Sequence, residues 1–173
     1  MIIISGCNQN SNSPESIFNV VANNVKECNF EKVLPLLSSN TLEKPFGEDY
    51  NKLQNNCNNL VSNDNCMDSC SSNERLFESY SYSCAKVCGT DCNDKRTVLE
   101  IGCIFNTRNY LKHTTSFDII RSEDLSENEI RLKITRTRDF EFSQVEDEDE
   151  VIDVDFIKVD NTWKFNSPLH ILE

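Results

Sequence analysis

The sequence predicts an α+β protein with helices in its first half and long antiparallel strands in its second half. Apolar residues recur at helical spacing over roughly the first sixty residues of the 173-residue chain, and they alternate with polar residues from residue 97 onward. Residues 64–95 separate these regions and are rich in cysteine but nearly free of aliphatic side chains. We therefore expect one domain, in which N-terminal helices pack on one face of a curved antiparallel sheet and residues 64–95 form a disulfide-rich helical hairpin insert.

The helical half begins with a clear start signal. Ser13 suits an N-cap and Pro14 suits the first helical position, and the apolar stripe that follows predicts a helix ending near Asn29. Two further stripes predict a short helix with Phe30, Val33, Leu34 and Leu37, and a third helix, from about Glu48, with Tyr50, Leu53, Cys57 and Leu60. The segment TLEKPFG (41–47) is expected to connect them.

The second half shows the period-2 pattern that is typical of strands. The predicted strand faces carry Leu99, Ile101, Cys103 and Phe105 in the first strand, Leu111, His113, Thr115, Phe117 and Ile119 in the second, and Ile130, Leu132 and Ile134 in the third. We expect the third strand to reach Phe142 and the fourth to cover residues 151–159. The segment TWKFN (162–166) is then a fifth strand or a continuation of the fourth.

The order of these elements resembles a known superfamily. The helical SPESIFNVVANNVKECNFEKVLPLLS (13–38), a third helix, several long antiparallel strands and a closing VDFIKVDNTWKFN (154–166) are similar to the nuclear transport factor 2-like, cystatin-like superfamily, most of all to its small lipoprotein-type members of unknown function. The resemblance covers residues 14–62 and 97–168. It implies a cone-shaped domain over residues 14–173 with a pocket between helices and sheet.

This resemblance implies a fold rather than one activity, because the same cone hosts isomerases, dehydratases, binding modules and scaffolds. Members of the superfamily often pair through the open face of the sheet, so a homodimer is compatible with it. The cysteine-rich insert has no counterpart in the usual pattern of the superfamily.

Cysteine usage predicts disulfides. When Cys7 is set aside, eight of the nine cysteines remain, enough for four bridges in an oxidising compartment. The insert holds two Cys-x3-Cys pairs, and each pair puts its sulfurs one helical turn apart. Two antiparallel helices of this kind predict the nested bridges Cys66–Cys88 and Cys70–Cys84. The other four cysteines are expected to tie the first and third helices, the insert and the first strand together; they are Cys28, Cys57, Cys92 and Cys103.

The paired spacing leaves two alternatives open. Over residues 66–88 alone it resembles the small translocase chaperones of the mitochondrial intermembrane space, which are almost wholly helical, whereas this chain ends in a long run of strand pattern. Structural zinc sites also use cysteines separated by two to four residues, and a zinc site would make the insert a thiol- or zinc-dependent adaptor. Both histidines lie outside residues 64–95, so we expect disulfides there and neither a metal nor a cofactor.

The stretch ISGC (4–7) has the form of a lipobox, at which bacterial envelope proteins are cleaved and lipidated on cysteine. Only six residues precede Cys7, fewer than an export signal needs, so this interpretation assumes a truncated signal peptide. Polar residues 8–13 suit a flexible tether at the end of the starting segment 1–13. We expect a protein of the cell envelope or exterior that is held at the membrane by lipid alone, since no apolar run approaches the ~18 residues of a membrane span.

Charge limits the classes of partner. A net charge of −12 and a pI near 4.6 repel phosphate backbones, and no basic patch is interleaved with aromatic residues, so nucleic-acid binding is not expected. The acidic run Glu146–Glu150 lacks the spaced oxygens and the glycine of a calcium loop, and indicates a solvated hairpin tip. Centring the hairpin on this run places Arg138 near Asp155, which predicts a cross-strand ion pair.

No active site is recognisable in the sequence. His113 shares a predicted face with apolar residues that would line the pocket, but strict alternation sends Asp118, its natural acid partner, to the opposite face. His170 lies beyond the sheet, and no nucleophile, base and orienting group converge. We therefore expect a non-enzymatic domain that binds a small ligand or a protein partner through the cone or the insert. The alternative is a small cone-pocket enzyme of the isomerase or dehydratase type, with His113 as its acid or base.

Overall fold

The structure is a computed structural model that describes residues 12–62, 64–72, 83–106, 114–138 and 148–172. Six α-helices lie in these residues: α1 (Pro14–Val25), α2 (Ser39–Glu43), α3 (Tyr50–Val61), α4 (Cys66–Ser71), α5 (Cys84–Cys88) and α6 (Lys95–Asn106). Four strands follow them: β1 (Thr114–Ser126), β2 (Glu129–Arg138), β3 (Glu148–Val159) and β4 (Thr162–Phe165). Two short 3-10 helices lie at Leu34–Leu36 and Leu169–Leu172. The predicted α+β class, with helices on an antiparallel sheet, is confirmed.

Helix α1 forms where its sequence signals predict it. The Ser13 hydroxyl accepts a hydrogen bond from the Ser16 amide at 3.2 Å, and Pro14 lies in the first turn. Its apolar side packs against β4 and β2. The buried side chains of this helix are Pro14, Ile17, Phe18, Val21, Ala22 and Val25. The helix ends at Val25, earlier than the predicted end near Asn29, because the chain turns over the next three residues and Cys28 adopts a positive φ of 48°.

The first predicted strand is wrong, because residues 97–105 belong to helix α6. The carboxylate of Asp94 caps this helix and accepts hydrogen bonds from the Thr97 amide at 3.3 Å and the Thr97 hydroxyl at 2.9 Å. The even-numbered positions distinguish a helix from a strand here. Val98 and Ile104 are fully buried, whereas a strand with one buried face would expose them. Because α6 is buried on most sides, its apolar residues include an alternating set that resembles the pattern of a strand.

The four strands form one antiparallel sheet in the order β1-β2-β3-β4. Its helix-facing core consists of Leu132, Ile134, Ile152, Val154, Phe156 and Phe165. The segment TWKFN gives a separate strand, β4, because Asp160 and Asn161 both take positive φ values, 51° and 61°, and form a tight hairpin turn. At the edge of the sheet, Leu37 bridges to Phe165 and the Ser38 amide donates to the Phe165 carbonyl at 2.9 Å. That edge is therefore covered.

The register between β2 and β3 corrects one predicted contact. Arg138 lies opposite Glu148 and not Asp155, and Asp155 lies opposite Arg131. The hairpin is thus centred before the acidic run, and part of that run, Glu148–Glu150, belongs to β3. An ion pair of the predicted kind forms, but with a different arginine.

Candidate functional site

Four disulfides connect the helical part of the protein. The pairs are Cys28–Cys103, Cys57–Cys92, Cys66–Cys88 and Cys70–Cys84, with sequence separations of 75, 35, 22 and 14 residues. Each bridge lies inside the loop that the previous one closes, so the four form a concentric series. The two innermost bridges are the pairs that the Cys-x3-Cys spacing predicts.

A zinc site in helices α4 and α5 would need free thiols, which these two helices lack. All four cysteines of α4 and α5 are used in disulfides. In the part of the chain that the structure describes, no group of three or more histidine, cysteine or acidic side chains is arranged to hold a metal ion. Multiple disulfides of this kind are typical of proteins that fold in an oxidising compartment outside the cytosol.

Helices α3 and α6 are held next to each other by a disulfide and a hydrogen bond. Cys57 of α3 is bonded to Cys92, which lies just before α6, and the Gln54 side-chain amide donates to the Cys92 carbonyl at 3.0 Å. Both helices have capped N-termini: Asp49 accepts from the Asn51 amide at 2.8 Å, and Asp94 caps α6. These local signals fix where each helix starts, and the bridge fixes how the two helices meet.

A groove with a volume of about 510 Å³ runs between α3 and α6. Its lining consists of Glu48, Leu53, Asn56, Cys57, Asn59, Leu60, Ile101, Gly102 and Phe105. The floor is apolar and buried, and Gly102 lies so close to α3 that a Cβ there would be 3.4 Å from Leu53 Cδ2. Asn56 and Asn59 are exposed at the rim, and Phe105 forms a wall that is 39% exposed. The volume falls in the range of about 300–1,000 Å³ that is usual for small-molecule sites.

Sequence reasoning missed this groove, because it assigned one of its two helices to a strand. The resemblance predicts a pocket between helices and sheet, whereas this groove lies between two helices. The signal that would have found it is Asp94, since aspartate is a preferred N-cap residue and here precedes an apolar segment; in the structure it caps α6 through Thr97.

A second, more polar groove of about 410 Å³ lies where α2, α3 and α6 approach each other. Its lining consists of Ser39, Leu42, Glu43, Lys44, Asp49, Tyr50, Asn51 and Lys95. Burial raises the pKa of Tyr50, and the nearby Asp94 carboxylate raises it further. The hydrogen bond from the Thr97 hydroxyl lowers the pKa of Asp94 below its ordinary value. Acidic and basic groups are mixed here, so the groove favours no single charge.

The face of the sheet away from the helices carries a network of ion pairs. Arg131 donates two hydrogen bonds to Asp155, from Nε to Oδ1 at 2.7 Å and from Nη2 to Oδ2 at 3.0 Å, and these bonds raise the pKa of the Arg131 guanidinium above its ordinary value. Lys133 donates to Asp153 at 2.9 Å, which lowers the pKa of that carboxyl. These four side chains neutralise one another in ion pairs, so none of them presents an unpaired charge to a ligand.

The remaining predicted site residues do not come together in the described structure. Cys7 and His113 lie outside the described residues. Asp118 is exposed on β1, where the Ser116 hydroxyl is 3.4 Å from its Oδ2. His170 lies beside Gly47, at which a Cβ would be 3.3 Å from the imidazole Nδ1.

The two aromatic residues that close the sheet differ in their surroundings. Phe165 is buried and stacks edge-on with Phe156, with the ring centroids 5.6 Å apart. Trp163 is half-buried, and the Lys158 ammonium lies 5.6 Å from its ring centroid. Both aromatic residues thus belong to the packing of β3 and β4.

Comparison with protein-family models gives no match for this chain, and no curated protein is significantly similar to it. The resemblance to the nuclear transport factor 2-like superfamily therefore stays a prediction. None of the helices in the described residues has both the length and the apolar character that crossing a membrane requires.

Proposed function

We propose that this protein is a non-enzymatic binding domain that functions outside the cytosol and holds a small apolar molecule in the groove between α3 and α6. The observation that carries the proposal is the groove itself: about 510 Å³ of space with an apolar floor, between two helices whose relative position is fixed by a disulfide. A site with such fixed walls loses little conformational freedom when a ligand binds.

The covalent frame of the groove supports this function. Cys57 lies in the groove lining and is bonded to Cys92, and Cys103 near the end of α6 is bonded to Cys28 after α1. Helix α6 is therefore anchored near both of its ends. The position of the groove floor is therefore set by these disulfides and not by apolar packing of α4 and α5.

The chemistry of the lining favours binding over catalysis. Among the described residues that line the groove, Glu48 is the single ionisable side chain, Asn56 and Asn59 contribute amides, and Cys57 is oxidised. A carboxylate and two amides can orient a ligand, but they do not form a nucleophile and base pair. We place the enzymatic alternative second, because the described lining of the groove contains no nucleophile and base pair.

The compartment is part of the proposal. Four disulfides indicate an oxidising setting, and we propose that the chain is attached to the cell envelope by lipid at Cys7 through the polar tether 8–13. Intact mass after thiol alkylation, without reductant and on protein from its native cell, tests both points. A chain that starts at Cys7 with an added acyl mass and no alkylated thiol supports them. A chain that keeps Met1 and alkylates at most cysteines contradicts them.

Binding is tested with the neutral fluorescent probe N-phenyl-1-naphthylamine. The variant Phe105→Ala removes an apolar wall, and we expect it to weaken probe binding about fivefold, since the lost contact corresponds to about 1 kcal/mol. The matched control is Val20→Ala on α1, which truncates a side chain of similar exposure, 36% against 39%, outside the groove. Equal probe affinity in the two variants, or no binding by the unaltered protein, would show that the groove is not a ligand site.

A further inference from the structure

One end of the groove is marked by a carboxylate. Among the described residues of the lining, Glu48 is the single ionisable group. Its Oε1 accepts a hydrogen bond from the Lys52 ammonium at 2.6 Å. The Glu48 side chain is 32% exposed and that of Lys52 is 61% exposed, and of these two residues Glu48 is the one that lines the groove.

The Lys52 ammonium shows what kind of group fits beside Glu48. It is a compact cation on a flexible stem, and exposed ion pairs of this type contribute little to stability. A ligand that carries its own ammonium can therefore replace Lys52 at small cost while it buries an apolar body on the floor that Leu53, Ile101 and Phe105 provide. Glu48 keeps a cationic partner throughout the exchange.

Anionic ligands are disfavoured by the same features. An anionic head group would meet the Glu48 carboxylate in a protein whose net charge is −12, and the part of the lining that the structure describes offers it no basic side chain. The positive end of the α3 dipole lies nearby, but the Asp49 carboxylate already caps it at 2.8 Å from the Asn51 amide. The groove therefore selects by charge as well as by apolar surface.

We propose that the ligands of the groove are amphiphilic amines, which place an apolar body between α3 and α6 and an ammonium on the Glu48 carboxylate in place of Lys52. This inference rests on the proposed function, since it names the ligand class of the same groove.

Three dansyl probes of similar size separate the two proposals: dansyl-cadaverine, which ends in an ammonium, dansyl-pentylamide, which is neutral, and dansyl-aminohexanoate, which ends in a carboxylate. At low ionic strength we expect the ammonium probe to bind about fivefold more tightly than the neutral one, and the carboxylate probe to bind most weakly. If no probe binds, the proposed function fails. If the carboxylate probe binds as tightly as the ammonium probe, the groove is a ligand site and the amine inference fails.

Two variants with opposite expected effects test the role of Glu48. Glu48→Gln is expected to remove the preference for the ammonium probe and to leave the affinity for the neutral probe unchanged. Lys52→Gln removes the competing ammonium and is expected to tighten the ammonium probe about threefold, a gain that damage to the fold would not produce. The matched control Glu31→Gln removes the same charge from an exposed turn outside the groove. An ammonium preference that survives Glu48→Gln, or that falls equally in the control, overturns the inference.

Discussion

The concentric disulfides should contribute to stability in an order that their loop lengths set. We compare two variants, Cys28→Ala/Cys103→Ala, which lacks the outermost bridge, and Cys66→Ala/Cys88→Ala, which lacks the third. Each variant keeps the other three bridges. In the chain-entropy description, the contribution of a bridge grows with the logarithm of the number of residues in the loop that it closes in the unfolded chain.

The effective loops follow from the pairing. With Cys57–Cys92 intact, the outermost bridge closes about 40 residues, roughly 29 before Cys57 and roughly 11 after Cys92. With the innermost bridge intact, the third bridge closes about 8 residues, roughly four on each side. We therefore expect losses of about 4 and about 2.5 kcal/mol in the free energy of unfolding, a difference of about 1.4 kcal/mol.

Urea unfolding followed by far-ultraviolet circular dichroism measures both losses, after mass spectrometry has verified the three remaining bridges. The single variant Cys28→Ala also lacks the outermost bridge, so its difference from the double variant gives the cost of truncating the buried Cys103 side chain. The loop argument is wrong if, after this subtraction, the variant without Cys66–Cys88 loses as much stability as the variant without Cys28–Cys103.

Three further predictions concern single side chains. Gly102→Ala should raise the free energy of unfolding by up to about 1 kcal/mol, because alanine favours the helix more than glycine does and its methyl group fits at ordinary contact distance from α3. The same methyl group narrows the groove and should weaken binding of N-phenyl-1-naphthylamine. A destabilised variant would show that the space beside Gly102 is too small for a methyl group. Glu150→Gln should cost about 1–2 kcal/mol in urea unfolding although the Glu150 side chain is 54% exposed, because it removes an anionic partner from the buried guanidinium of Arg136; a cost near zero would show that the pair does not stabilise the fold. Asp153→Asn should cost about 0.5 kcal/mol at neutral pH, a value reduced by solvent screening at this exposed site. Because Lys133 lowers the pKa of folded Asp153, the carboxylate stabilises the fold above its ordinary pKa, and the difference from the unaltered protein should vanish as the pH falls below about 4; a difference that persists in acid would exclude this ion pair as its source.

Local signals predicted most of the fold. The Ser13 cap and the apolar stripe of α1, the stripe of α3, and the alternation in β2 and β3 each involve residues close together in the sequence, where spacing alone determines which side chains share a face. The two inner bridges follow from the same logic, because a Cys-x3-Cys pair on a short helix restricts its partners to a facing pair.

The errors arose where the answer depends on distant parts of the chain. Helix α6 is buried by α3 and by other elements of the core, so its apolar residues point in most directions and hide its helical period. The pairing of Arg131 rather than Arg138 with Asp155 follows from the register between β2 and β3, which composition does not reveal. The partners of Cys28 and Cys57 could not be chosen from spacing, because they come from separate elements.

The positions of the disulfides indicate that the helical part of the chain depends on oxidation more than the sheet does. All four disulfides lie between Cys28 and Cys103, and the sheet, from Thr114 onward, contains none in the described residues. Helices α4 and α5 have six and five residues, far fewer than the ~12–15 that an isolated helix needs, so they depend on their cross-links. The strands instead share a continuous apolar core with α1. Oxidation is therefore a requirement of the helical part more than of the sheet. Two of its bridges, Cys57–Cys92 and Cys28–Cys103, also anchor the helices that frame the groove, which ties the proposed binding activity to an oxidising compartment.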